Sequence, residues 1–185
     1  MNRIIVVGTT GSGKSRVARA IAEKLCIPYI EMDRLFWKPN WVEPPLEEFL
    51  KKVEEAVVPA RWVLNGNYGK THNLTWPQAD TVVWIDYPFL ITFYQNFSRA
   101  LARATNRKEL WPGTGNKESI VSLFSKKSIL LWLIKTYKPN RQRYLSRMKD
   151  HQFTHIKFIH LRSRKEVDTF LIKMSHSFAG TLSEK

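Results

Sequence analysis

An α/β fold around a parallel, doubly wound sheet is predicted by three features of this chain: short apolar strands alternate with amphipathic helices, one strand is apolar on both faces, and a glycine loop joins the first strand to the first helix. Arg3 to Val7 is a β-branched run ending in Gly8. From Ser15 onward, Val17, Ala18, Ile21, Ala22 and Leu25 recur at spacings of three and four, the period of a helix with one buried face. Pro28 breaks that pattern, and Tyr29 to Asp33 reads as a second strand with Glu31 and Asp33 on one face. Pro44 and Pro45 suit a helix start, and Leu46, Phe49, Leu50, Val53, Ala56 and Val57 form the stripe of the helix that follows, ended by Pro59. Arg61 to Asn65 is a third strand, stopped by Gly66-Asn67-Tyr68-Gly69. Thr81 to Asp86 is nearly all apolar, as a strand covered on both sides should be. Pro88 opens a long helical stretch, which the turn-rich Trp111-Pro112-Gly113-Thr114-Gly115-Asn116 interrupts. Lys157 to Leu161 is the fifth strand, followed by a helix around Arg164 to Met174. One domain over residues 1–174 is expected, with a lid inserted at about 99–149 and a flexible tail at 175–185.

The chain has 185 residues and 43% hydrophobic side chains, enough to bury a sizeable core, which excludes global disorder. Its longest strong apolar run, Ile129 to Ile134, is far too short to cross a membrane. The start shows no cleavage-site pattern, so no signal peptide is expected. The lone Cys26 excludes an internal disulfide, and its apolar neighbours suggest a buried thiol in a reducing, cytoplasmic setting. Net charge is +14, and it is concentrated: residues 99–149 hold 13 Lys and Arg against 2 Glu, leaving only +3 for the rest. That segment should attract phosphates or nucleic acid, unless it is only a solvated helical face.

Gly8-Thr9-Thr10-Gly11-Ser12-Gly13-Lys14-Ser15 satisfies G-x-x-x-x-G-K-[ST] in full, between a strand and a helix. In such a loop backbone N–H groups wrap a phosphate, here those of Gly8, Thr10, Gly11, Ser12, Gly13 and the first helical residues to Arg16. Lys14 reaches the β and γ phosphates and Ser15 ligates Mg²⁺. ATP with magnesium is the expected ligand. A GTPase reading lacks its guanine signature, because Asn116-Lys117-Glu118-Ser119 has no aspartate at the fourth position.

Asp86, at the end of an apolar strand, suits a magnesium outer shell or a strand-end cap. Glu31 and Asp33 suit the metal and the acceptor proton, or an ion pair with Arg34 or Lys38. Arg99, Arg103 and Arg107 recur every four residues and form one helical face, fit to neutralise a transferring phosphoryl group or to face solvent. Arg141, Arg143 and Arg147 form a second basic cluster. Of the seven tryptophans, Trp37, Trp41, Trp76 and Trp111 suit either an acceptor pocket or a core.

Taken with the P-loop, Glu31-Met32-Asp33, Trp37-Lys38-Pro39-Asn40-Trp41, Gly66-Asn67-Tyr68, Ala79-Asp80-Thr81, Ile85-Asp86-Tyr87-Pro88, Glu109-Leu110-Trp111-Pro112-Gly113 and the basic stretch through Arg143 resemble the adenylate-kinase-like P-loop proteins often labelled DNA topology modulation proteins. The resemblance runs to about Leu171. It implies a P-loop NTPase fold like that of nucleoside monophosphate and shikimate kinases: a five-stranded parallel sheet flanked by helices, with a helical basic lid. It further implies an ATP- and Mg²⁺-dependent phosphotransferase acting on a small acceptor, with Lys14, Asp33, Arg99, Arg103 and Arg107 as catalytic residues. Ser15, Glu31 and Asp86 would serve the metal, and Arg162 would flank the adenine. Asn65-Gly66 stands where the resembled enzymes usually have Asp-Gly, putting an amide at a magnesium-shell position. The alternative is an ATP-dependent nucleic-acid-binding regulator using residues 99–149, although no helix-turn-helix or zinc-ligand set is present in the sequence.

Overall fold

The computed structural model describes residues 1–106, 109–111, 113–116 and 129–182. Five parallel strands, β1 (Arg3–Gly8), β2 (Tyr29–Glu31), β3 (Trp62–Asn65), β4 (Thr81–Ile85) and β5 (Lys157–Leu161), stand in the order β2-β3-β1-β4-β5. Seven helices accompany them among the described residues: α1 (Lys14–Leu25), α2 (Met32–Phe36), α3 (Leu46–Ala56), α4 (His72–Thr75), α5 (Phe89–Asn106), α6 (Ile129–Arg147) and α7 (Arg164–Leu182).

Ile4 to Val7 can occupy the middle of the sheet because both faces of β1 are apolar. Ile4 and Val6 enter the core beneath α1 and α7, while Ile5 and Val7 enter the core with α3, α4 and α6. The chain passes from β3 on one side of β1 to β4 on the other. A crevice therefore opens at the carboxyl end of β1, where α/β sheets bind ligands.

Three expectations are corrected. First, β2 ends at Glu31, and Asp33 lies in the first turn of α2 rather than beside Glu31 on a strand face. Glu31 pairs with Asn65, the last residue of β3, so a longer β2 would have no partner. The chain instead closes a helical turn, with the Trp37 N–H donating to the Asp33 carbonyl at 3.0 Å. Second, Cys26 is exposed. It caps α1 at φ 50°, a left-handed turn in which its N–H returns to the Glu23 carbonyl at 3.2 Å. Third, the helix after β5 runs through Leu182, beyond the end expected near Met174, and the Ser175 hydroxyl donates to the Leu171 carbonyl at 3.3 Å and accepts from the Lys24 ammonium. In the later half of the expected lid, α6 packs side chains into the core. Tyr144 of α6 is buried between Trp76 and Trp84, and the Arg147 guanidinium lies 4.3 Å over the Trp76 ring. Trp76 is therefore core and lines no acceptor pocket. His72, packed on Trp76 and bonded to Arg147, is held neutral: burial, with Arg147 and Arg143 adding to it, pushes its imidazole down to about 4.

Candidate active site

The loop from Gly8 to Lys14 turns at the end of β1 because its glycines accept backbone that other residues resist. Gly11 and Gly13 sit at φ 83° and 86°. Gly11 has a second constraint: a Cβ there would come within 2.6 Å of Asn96 Cβ and 2.8 Å of the Thr92 carbonyl oxygen. Helix α5 thus lies directly on the loop. Gln95 of the same helix, with its amide nitrogen toward the loop, donates to the Gly11 carbonyl at 2.8 Å and accepts from Arg164 at 2.9 Å. Arg99, one turn further, donates to Thr10 Oγ1 at 3.4 Å and to Asn96 Oδ1 at 3.0 Å.

Asn67 holds the loop from the other side. Its Oδ1 accepts from the Gly8 N–H at 3.3 Å and its Nδ2 donates to the Gly8 carbonyl, so one side chain clamps both polar groups of a residue. In the sequence Asn67 reads only as a turn residue; nothing there signals that the turn after β3 faces Gly8, 59 positions earlier.

Lys14 begins α1 and faces the carboxylates at the end of β2. Burial lowers its ammonium pKa below the ordinary lysine value; Asp33 and Glu31 raise it, and Arg99 adds to the lowering. Asp33 accepts from the Tyr68 hydroxyl at 2.7 Å through Oδ1. Burial first, then the Asp33 carboxylate, drive the Tyr68 phenol well above its usual range, keeping it a donor. Glu31 is paired with Arg19 at 3.1 Å, rather than with Arg34 or Lys38. Lys38 goes instead to Glu48 at 2.6 Å.

Ser15 meets Asn65. The amide nitrogen of Asn65 donates to Ser15 Oγ and to the Tyr29 hydroxyl, both at 3.0 Å, while its Oδ1 is buried with no hydrogen-bond partner among the described residues. Asp86 does not join this set. Its Oδ2 accepts from Arg141 Nε at 3.0 Å and lies 2.9 Å from His160 Nε2, so its contacts tie β4 and β5 to α6. Of the two readings of Asp86, magnesium outer shell or strand-end cap, these contacts are those of a strand-end residue.

Arg103 is half-buried one turn beyond Arg99, and Arg107 lies outside the described residues. Arg16 is exposed in the first turn of α1. Arg162 is exposed too, and its backbone N–H donates to Glu166 Oε2 at 2.8 Å. The arginine of that segment which reaches the P-loop, through Gln95, is Arg164. Beyond Asp33 an aromatic cluster begins. Phe36 meets Tyr68 and Trp37 at 4.9 Å, Trp37 meets Trp41 at 5.4 Å, and Trp41 meets Trp111 at 5.8 Å between ring centroids.

No family model matches the chain, and no curated protein matches it in sequence. Solved structures do. The shikimate kinase from Aquifex aeolicus is similar with a TM-score of 0.54 at 16% identity, over 99% of each chain. The shikimate kinase from Acinetobacter baumannii in complex with shikimate gives 0.53 at 16%, over 98% of this chain and 94% of that one. The enzyme from Bacteroides thetaiotaomicron gives 0.51 at 15%, over 96% and 98%. The fold is that of a P-loop kinase. On this P-loop kinase fold the site residues come from the carboxyl ends of β1, β2 and β3 and from one face of α5, and the aromatic cluster continues that rim outward.

Proposed function

We propose that the chain is a magnesium-dependent phosphotransferase that moves the γ-phosphoryl group of ATP to a small acceptor. The observation that carries this reading is the convergence of Lys14, Arg99 and Asp33 around a complete P-loop, with Arg99 bonded to Thr10 of that loop at 3.4 Å. A loop that only binds nucleotide needs the lysine; a transfer site also needs a second cation and a carboxylate for the acceptor.

In this reading the acceptor hydroxyl attacks the γ-phosphorus, the bond to the β–γ bridging oxygen breaks, and ADP leaves. Asp33, with Oδ1 held by Tyr68, uses Oδ2 to receive the hydroxyl proton. Lys14 and Arg99 balance the charge on the phosphoryl oxygens; Arg103, on the same face of α5, adds to it. Gln95 and Arg164 support the nucleotide side. The donor set fits magnesium: Ser15 Oγ, the orphaned Asn65 Oδ1 and the carboxylate of Glu31 would be hard oxygen ligands. When bound, the ion would supply a Lewis acid that neutralises charge developing on the transferring phosphoryl group.

Nucleic-acid binding gains no specific observation. Arg99, Arg141 and Arg147, all counted in the basic segment, are engaged with Thr10, Asp86 and Trp76, although the Arg141 side chain stays exposed. Among the described residues no helix is long and apolar enough to cross a membrane.

The test is ADP formation from Mg-ATP with a panel of hydroxyl acceptors. Lys14→Ala and Arg99→Ala should each lower kcat by about 100-fold or more. Unchanged turnover in Lys14→Ala would refute the reading.

A further inference from the structure

The tryptophans at the outer rim are held in a way that core filling does not require. The turn that carries Trp41 places two successive non-glycine residues, Asn40 and Trp41, at φ 59°. L side chains rarely adopt that conformation, and it persists only where surroundings over-determine it. Asn116 supplies the surroundings. It is fully buried; its Nδ2 donates to the Lys38 carbonyl at 3.0 Å and its Oδ1 accepts from the Trp41 N–H at 2.8 Å. Its own carbonyl accepts from the Leu110 N–H at 2.9 Å, and the Asn40 N–H donates to the Thr114 carbonyl at 3.3 Å. The 38–42 turn and the 109–116 segment are thereby locked together, with Trp41 and Trp111 in edge contact across the seam. Trp41 nonetheless remains 38% exposed. A ring recruited only to fill a core would be buried and would not need strained backbone to hold it.

Position gives the rings a purpose. Trp37 caps the end of α2 four residues after Asp33, and its N–H closes on the Asp33 carbonyl at 3.0 Å. Phe36 and Tyr68 continue the aromatic surface to the Asp33 carboxylate. Polar groups bordering the rings are engaged with one another: Lys38 Nζ with Glu48 at 2.6 Å, and the Asn116 amide with two backbone groups. The surface offers ring faces and edges more than free donors and acceptors. A polyhydroxy acid buried there would need a partner for each hydroxyl, whereas a flat ring gains from stacking alone.

We propose that Trp37, Trp41 and Trp111 form a stacking cradle for the phosphate acceptor, and that this acceptor carries a flat aromatic or heteroaromatic ring. The role of the ring's hydroxyl rests on the phosphotransfer reading; the cradle itself rests on ring geometry.

Two measurements on the full chain separate them: tryptophan emission during equilibrium titration, and ADP formation from Mg-ATP. The probes are nucleosides, nucleoside 5′-monophosphates and a hydroxymethylpyridine, set against shikimate, gluconate and glucose. A ring-bearing probe should quench emission and stimulate turnover. Trp41→Ala should weaken its binding about 10-fold or more, and Trp41→Phe by less than about 3-fold, with Mg-ATP affinity unchanged in both. Trp111→Ala should follow Trp41→Ala. The cradle is overturned if no ring-bearing probe binds at millimolar concentration, or if one binds equally well to both alanine variants. It is also overturned if a non-aromatic acceptor is phosphorylated at the same rate by wild type and Trp41→Ala; the phosphotransfer reading then survives. Tryptophan-dependent ring binding without ADP formation for any acceptor leaves the cradle standing and removes the phosphotransfer reading.

Discussion

The P-loop and the 38–42 turn both place left-handed backbone at the rim of the site, with opposite residues. Gly11 and Gly13 take φ 83° and 86° with no side chain, so what the loop displays is its N–H groups. Asn40 and Trp41 take φ 59° with side chains, so what the turn displays is an indole. Bare backbone suits a phosphate, which is alike in every nucleotide. In the proposed phosphotransfer, a displayed ring would suit the acceptor. The glycine loop bears its own conformation, but the tryptophan turn needs Asn116, 75 residues away, to hold it.

That contrast can be broken by substitution. Gly11→Ala should have the largest effect, because its Cβ would meet backbone and Cβ atoms of α5 at 2.6–2.8 Å. A loss of about 3 kcal/mol or more is expected in denaturant melts, with ATP binding abolished. Asn116→Ala should come next. It leaves the Trp41 N–H and the Lys38 carbonyl without a partner, costing about 2 kcal/mol, and it should raise acceptor KM while Mg-ATP affinity holds. Gly13→Ala shares the positive φ of Gly11, yet a Cβ there meets nothing within 4 Å. Only the backbone term of about 1 kcal/mol should remain. Asn40→Gly is the mildest, within about 0.5 kcal/mol, since asparagine tolerates the left-handed region almost as glycine does. Equal losses for Gly11→Ala and Gly13→Ala would show that strain, and not contact with α5, governs the loop.

The site was legible in the sequence where its residues are neighbours in the chain. Gly8 to Ser15 lie together, and spacing with context was enough to read them. The alternation of five strands with helices was read from apolar runs and periodicity, whereas the order of the strands around β1 is seen only in the structure. Legibility failed where a residue's role is set by a distant partner. Asp86 suits a magnesium outer shell or a strand-end cap equally well in the sequence, and only the structure brings Arg141 and His160 to its carboxylate. Asn67 looks like a turn residue until Gly8 is beside it. Trp76 and Trp41 look alike on the page, though one lies beneath Tyr144 and the other stands at the rim. Arg162 and Arg164 differ by two positions, and the first turn of α7 decides which of them approaches the P-loop through Gln95.

What the sequence by itself determined is local: a P-loop between strand and helix, the alternation of strands with helices, and a basic stretch concentrated in residues 99–149. Those follow from periodicity, glycine content and charge, which act over a few residues. Tertiary structure alone decided that α5 lies on Gly11, that Asn65 meets Ser15, and that Asn116 fastens the 38–42 turn. Each is a contact between chain segments far apart in number, and no short-range preference of either segment specifies it. The site's polar groups find their partners only when β1, β3 and α5 pack, because burial is what obliges them to pair.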